Sequence, residues 1–216
     1  MYENKGNSGV ISKSKLLIGE GKDEVLFFNK LLEHLNINDI QVEPYNGTDK
    51  LGNYLRNLSL RPGYRELISL GVIRDADLSA NNTFDSVCGM LKNAKLPVPR
   101  FPKQIVGENL KVSVLILPDY PANESENNLE PRMLETLCLD AIRTNSEMQC
   151  VENYFNFLAD NVGIKCKPKD MAKARLQVWL ASQERPDLRL GEAAQKGYFN
   201  WDSPAFDGLK EFLQSL

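Results

Sequence analysis

Two short apolar runs that each stop at an acid constrain this chain more than any other feature. The first, Lys15-Leu16-Leu17-Ile18-Gly19, runs into Glu20; the second, 66–74 (ELISLGVIR), runs into Asp75. Continuous apolar runs of this length suit strands buried on both faces, the pattern of a parallel sheet. Helical spacing separates them. Val25, Phe28, Leu31, Leu32 and Leu35 recur on one face over 22–36. A second short strand is expected at 39–45, a turn at Asn46-Gly47-Thr48-Asp49, and a helix through Leu51, Tyr54, Leu55 and Leu58. Phe84, Val87, Met90 and Leu91 place another helix over 83–95. The stretch 96–111, with three prolines and Gly107, reads as a loop or irregular ribbon, and 112–117 is the clearest strand, closed by Pro118. After the polar stretch 119–128 the spacing is helical over 130–145, 148–162, 169–184 and 205–215. Strands alternating with helices, then helices alone, predict an α/β fold. It is an open, mainly parallel sheet of about four strands flanked by helices, with a helical C-terminal extension. The expected organisation is a loose arm over 1–14, the α/β domain over 15–120, and the helical extension over 121–216 packed on it.

The acids at the strand ends are the candidate site. In an open parallel sheet, ligands bind outside the carboxyl ends of the strands. Glu20 sits there between Gly19 and Gly21, and Glu24 follows one helical turn later. Asp75 and Asp77 follow the third strand, and period-two spacing points both the same way if the strand continues through Asp77. Carboxylates converging on one point repel one another unless a cation joins them, and hard divalent ions such as Mg²⁺ take such oxygens. Any one of these acids alone would more often be a helix cap or a solvated turn residue, and Asp77 could simply start the next helix. The combination carries the signal.

"LLIGEGKDEVLFFNKLL" resembles the first motif of the Toprim superfamily, a strand-terminal Glu followed by Gly and, four residues after the Glu, by an acid. "LISLGVIRDADLS" resembles the second, an apolar strand running into DxD. The superfamily includes topoisomerases, primases, small ribonucleases and the overcoming-lysogenisation-defect nucleases. Further on, "VSVLILPDY", "LEPRMLETLCLDAI", "MAKARLQVWLASQ" and "LGEAAQKGYFNWDSPAFDGLKEFL" are similar to a small stand-alone bacterial and archaeal family grouped with Toprim folds, which has no assigned function. The resemblance implies catalytic roles for Glu20, Asp75 and Asp77. It implies a metal set of Glu20, Glu24, Asp75, Asp77 and, by analogy with the nucleases, Glu135, with Glu130 competing for that last place. Lys169 and Lys173 could stand in for a late lysine near the phosphate, although a solvated helix face is the commoner role for such residues. The implied cofactor is Mg²⁺ or Mn²⁺, and the implied activity is a nuclease or related phosphoryl transfer on nucleic acid. Two ions about 4 Å apart would clamp an in-line displacement. Arg74 and Lys22 flank the two motifs as candidate phosphate contacts, and Arg74 could equally pair with a site carboxylate.

The chain departs from the larger superfamily members. Leu78-Ser79-Ala80 follows DxD where topoisomerases and primases commonly have Gly, and no ATPase loop, zinc module or strand-passing tyrosine accompanies the site. Two other readings stay open. The run into Asp75 also resembles the first motif of haloacid-dehalogenase-type phosphatases, with Asp75 as nucleophile, but that leaves the Glu20 motif without a role. A Toprim-like protein that binds rather than cleaves would use the late aromatics Tyr198, Phe199, Trp201, Phe206 and Phe212 as a docking surface, although core burial is their commoner role.

The remaining features narrow the field. No apolar run approaches the ~20 residues of a membrane span, and the N-terminus has no apolar stretch behind its lysines, so a cytoplasmic protein is expected. The single histidine, His34, and the scattered Cys88, Cys138, Cys150 and Cys166 make zinc or a Cys-His mechanism unpromising. A net charge of −3 excludes a basic nucleic-acid coat but not an acidic metal pocket that acts on phosphodiesters. A protein partner or homo-oligomer is compatible with everything above.

Overall fold

The computed structural model describes residues 9–118, 133–167 and 170–216. Four strands, β1 (Lys15–Gly19), β2 (Ile40–Pro44), β3 (Ser69–Asp75) and β4 (Lys111–Leu117), form one sheet in the order β2-β1-β3-β4. Every neighbouring pair is parallel, so each connection crosses over the sheet. Helix α1 (Lys22–His34) joins β1 to β2, α2 (Leu51–Asn57) lies between β2 and β3, and α3 (Ala80–Asn93) joins β3 to β4. The expected α/β fold is the observed one.

Period-two alternation divides the strand residues between two cores. Leu17, Ile73, Leu115 and Leu117 face a core shared with Phe27, Phe28, Leu31 and Leu32 of α1. Leu16, Ile18, Leu70, Val72, Val112, Val114 and Ile116 face the other, filled by Leu51 and Leu55 of α2 and Phe84, Val87 and Leu91 of α3. Because α1 covers one face and α2 and α3 the other, the winding direction reverses between β1 and β3. That reversal is the topological switch point, the place where sheets of this type open a crevice for a ligand.

The C-terminal helices complete the α1 side. They are α4 (Leu134–Ile142), α5 (Glu147–Phe157), α6 (Met171–Ala181), α7 (Leu190–Gln195) and α8 (Asp207–Ser215). Phe199, Trp201, Phe206 and Phe212 are buried with Phe27 and Trp179, and the Phe27 ring meets Trp201 edge-on at 5.0 Å. These aromatics are core, and Tyr198 packs partly buried beside them. Chain end and sheet fit closely: a Cβ on Gly71 would come within 2.7 Å of Leu216 Cδ1 and 2.8 Å of Leu17 Cδ1.

Two expectations need adjustment. Residues 9–14 of the expected loose arm are tied down: Ile11 is buried, and its N–H donates to the Pro62 carbonyl at 2.9 Å. Helix α7 had no apolar periodicity to announce it, since Leu-Gly-Glu-Ala-Ala-Gln is mostly small residues. Small size is what its position requires, because a Cβ on Gly191 would meet the Asp23 carbonyl oxygen of α1 at 2.6 Å.

Candidate functional site

Glu20 and Asp75 stand at the carboxyl ends of the adjacent strands β1 and β3, on the two sides of the switch point. The Glu20 carbonyl accepts the N–H groups of Asn46 (2.8 Å) and Gly47 (3.2 Å), which fixes its backbone against the end of β2. Beyond Asp75, the Ala76 N–H donates to the Leu117 carbonyl and the Thr83 hydroxyl to the Ala76 carbonyl, at 2.9 and 3.0 Å. Both acids are therefore presented by fixed backbone.

Asp75 has the parity of Ile73 and faces the α1 side, where its Oδ1 accepts the Leu134 N–H at the start of α4 at 2.9 Å. Burial pushes its carboxyl well above the ordinary range; Glu135 and Glu24 add to the rise, the Leu134 hydrogen bond opposes it, and Glu20 adds further. Glu24 accepts the Gly21 N–H at 3.0 Å, closing the first turn of α1. Burial raises it too, backbone hydrogen bonds pull it down, and Glu20 and Glu135 push it up. Glu135 lies in the first turn of α4, brought there by the same contact that anchors Leu134 to Asp75. Asp75, Glu24 and Glu135 thus influence one another electrostatically on the α1 side.

Glu20 has a different set of neighbours. Burial raises its carboxyl, Arg74 lowers it, and Asp77, Asp49 and Glu135 raise it again. Asp77 does not continue the strand. β3 ends at Asp75, and Asp77 takes a left-handed backbone conformation (φ 53°) with its side chain largely exposed. The period-two expectation for Asp75 and Asp77 fails for that reason. Asp75 points to the α1 side, while the Asp77 carboxylate stands 3.8 Å from Arg74 Nη2. The following helix is capped by Ser79, whose hydroxyl accepts the Asn82 N–H at 3.2 Å, and not by Asp77.

All five expected metal ligands are therefore described, and the electrostatic influence of one on another links them. Among the described residues, no three His, Cys, Asp or Glu side chains are drawn together closely enough to hold an ion as they stand. The donor chemistry nevertheless fits a hard divalent cation. Burial first, and neighbouring carboxylates second, raise the proton affinity of Glu20, Glu24 and Asp75, and Arg74 offsets charge at Glu20. Sequence reasoning missed Tyr45, the residue after β2. It is buried, its hydroxyl has no hydrogen-bond partner among the described residues, and the charges around it are Glu20, Arg74, Asp75 and Glu24.

Beside Glu135 opens a cleft of about 470 Å³ lined by Asp23, Lys173, Leu176, Leu180, Arg189 and Leu190. Lys173 therefore lies near the site, Lys22 is exposed at the start of α1, and Glu130 and Lys169 lie outside the described residues. His34 stands apart, 3.5 Å from Asp202. The four cysteines are free, and burial pushes the Cys138 thiol far up, so it stays protonated. No helix among the described residues is long and apolar enough to cross a membrane.

Fold and site together define an α/β protein with acidic residues at the switch point of a four-stranded parallel sheet. A family model matches residues 14–216, and the chain belongs to that family, described as "Protein of unknown function (DUF3226)". No curated protein and no solved structure matches it.

Proposed function

We propose that this chain is a Toprim-like, divalent-metal-dependent phosphoryl-transfer protein, most simply a nuclease. The observation that carries the reading is the raised carboxyls of Asp75, Glu24 and Glu20 around the switch point between β1 and β3. Burial is the largest cause of each rise and the neighbouring carboxylates add to it, and ionisable groups perturbed in this way cluster at functional sites.

Asp75, Glu24 and Glu135 would hold a cation on the α1 side, with Glu20 and Asp77 completing the set from the other side. A bound Mg²⁺ or Mn²⁺ would offset charge on the phosphate and the leaving oxygen. The chain's own contributions are separable from that. The Leu134 N–H keeps one oxygen of Asp75 engaged and leaves Oδ2 for a ligand. The Gly21 N–H orients Glu24. Burial raises the proton affinity of Glu20, which suits it to take a proton from an attacking water. Drawing the Glu20 motif into the same charge network as Asp75 supports this reading over the phosphatase one, which gives that motif no role.

Cleavage of single- and double-stranded DNA and RNA with Mg²⁺ or Mn²⁺ tests the proposal. Cleavage that Asp75→Ala and Glu20→Gln both abolish is the expected result. Background cleavage unchanged by Asp75→Ala would sink the nuclease reading. Metal binding without cleavage would favour the Toprim-like protein that binds and does not cut.

A further inference from the structure

Near Glu20 stand buried donors that find no acceptor among the described residues. Tyr45 is only 2% exposed, and its hydroxyl has no hydrogen-bond partner. The Arg74 side chain is 12% exposed, and its Nε and Nη1 are likewise buried without a partner. Buried donors are normally satisfied, because removing them from water without replacing its hydrogen bonds is unfavourable.

The three donors belong to one place. Tyr45 follows β2, and its N–H donates to the Gly19 carbonyl at 2.9 Å, next to Glu20. Arg74 is the penultimate residue of β3 and has the parity of Leu70 and Val72, so it faces the same α2/α3 side as the core around Tyr45. β1, ending at Glu20, runs between these two strands. Strands lie about 5 Å apart, so a Tyr and an Arg side chain from β2 and β3 can meet over the end of β1. Glu20 and Arg74 are also the two strongest charges acting on the Tyr45 hydroxyl. Elsewhere in the molecule an equivalent hydroxyl is satisfied: Tyr54 donates to Glu43. At Tyr45 the nearby carboxylates leave the hydroxyl and two guanidinium N–H groups open.

We propose that Tyr45 and Arg74 form an oxyanion subsite that holds a phosphoryl oxygen of the substrate beside Glu20. Two guanidinium nitrogens, Nε and Nη1, offer charged donors for the oxygens of a phosphate, and the phenol adds an uncharged one. The division of labour follows from the sheet. Asp75, Glu24 and Glu135 on the α1 side, with Glu20 and Asp77, would take the cation, and the donors on the α2/α3 side take the anion it accompanies. This inference deepens the phosphoryl-transfer reading and rests on it.

The test is a titration of the full chain with inorganic phosphate, followed by ³¹P NMR line broadening, once in EDTA and once with Mg²⁺. A separate Mg²⁺ melting series in phosphate-free buffer reads the metal site independently. The wild type is expected to bind phosphate in at least one condition. Arg74→Gln should weaken that binding by about tenfold or more and Tyr45→Phe by about three- to tenfold, as expected for losing donors to an anion. Tyr45→Phe should not lower the melting temperature, because its hydroxyl has no partner among the described residues. If Arg74→Gln fails to fold, Arg74→Lys, which keeps the charge and loses the fork, replaces it with an intermediate loss expected. The subsite is overturned if the wild type binds phosphate in neither condition, if the variants bind as the wild type does, or if Tyr45→Phe is clearly destabilised. Phosphate binding that depends on Tyr45 and Arg74, together with no Mg²⁺ stabilisation, would uphold the subsite and remove the metal reading alone.

Discussion

Two groups of carboxylates near the sheet's carboxyl edge are treated in opposite ways. At the outer strand, Glu43 of β2 is gripped by Arg61 through both oxygens at 2.7 and 2.8 Å and also accepts from Tyr54 and Gln41. Burial alone would raise its carboxyl, but the hydrogen bonds from Arg61 and Tyr54 outweigh burial and hold it below the ordinary range. At the switch point, Asp75 and Glu24 have backbone N–H groups and other carboxylates for neighbours, and their proton affinity is raised. The same fold supplies a complete cation-bearing partner set where a carboxylate serves structure. Asp75 and Glu24 have no such cation-bearing partner set among the described residues, and the proposed metal would supply the missing charge. That contrast is the main reason for reading the switch point as a metal site.

The largest expected effect breaks the comparison at the switch point. Asp75→Ala should reduce any metal-dependent cleavage by about 100-fold or more, in line with the several kcal/mol a cation contributes at a phosphate. Rates of nuclease turnover at saturating Mg²⁺ check it. Arg61→Ala breaks the other side, leaving Glu43 part-buried and unpaired. Its cost should be about 2–4 kcal/mol in denaturant unfolding, with Tyr54→Phe costing about 1 kcal/mol. Metal response should survive both changes.

The pH dependence of stability separates the two groups by sign. Raised carboxyls bind protons in the folded state before the unfolded one, so stability without metal should rise as pH falls from neutral toward the ordinary carboxylate range. Glu43, held low, contributes stability above its unfolded pKa and loses it as pH falls through its folded one, so a decline should follow below that range. Melting temperature against pH should therefore pass through a maximum. Saturating Mg²⁺ should flatten the rise, and Glu43→Gln should weaken the acid-side decline. A smaller effect is expected of Glu24→Gln. It should raise the metal-free melting temperature by a degree or two, since it removes one repelling charge while keeping an oxygen for the Gly21 N–H.

Much of this was legible in the residues. Runs such as 67–73 and 112–117 are mostly apolar because β3 and β4 are buried on both faces, and the acids that end β1 and β3 are visible for the same reason. The division of the site was not legible. It depends on Asp77 entering a left-handed turn, which strand periodicity does not encode, so Asp75 and Asp77 diverge. Tyr45 was hidden because its importance depends on β2 lying against β1, an order set by the winding of the helices and not by local pattern. Glu135 was visible as an acid in an apolar helix. Its meeting with Asp75 depends on the Leu134 N–H across 59 residues of chain.

Direct binding of Mn²⁺, followed by the relaxation of water protons, tests the central claim most plainly. The wild type should bind the ion at or below millimolar concentration, Asp75→Asn should lose that binding, and Arg61→Ala should keep it. A wild type that binds no Mn²⁺ at millimolar concentration, or an Asp75→Asn variant that binds it equally well, would contradict the account.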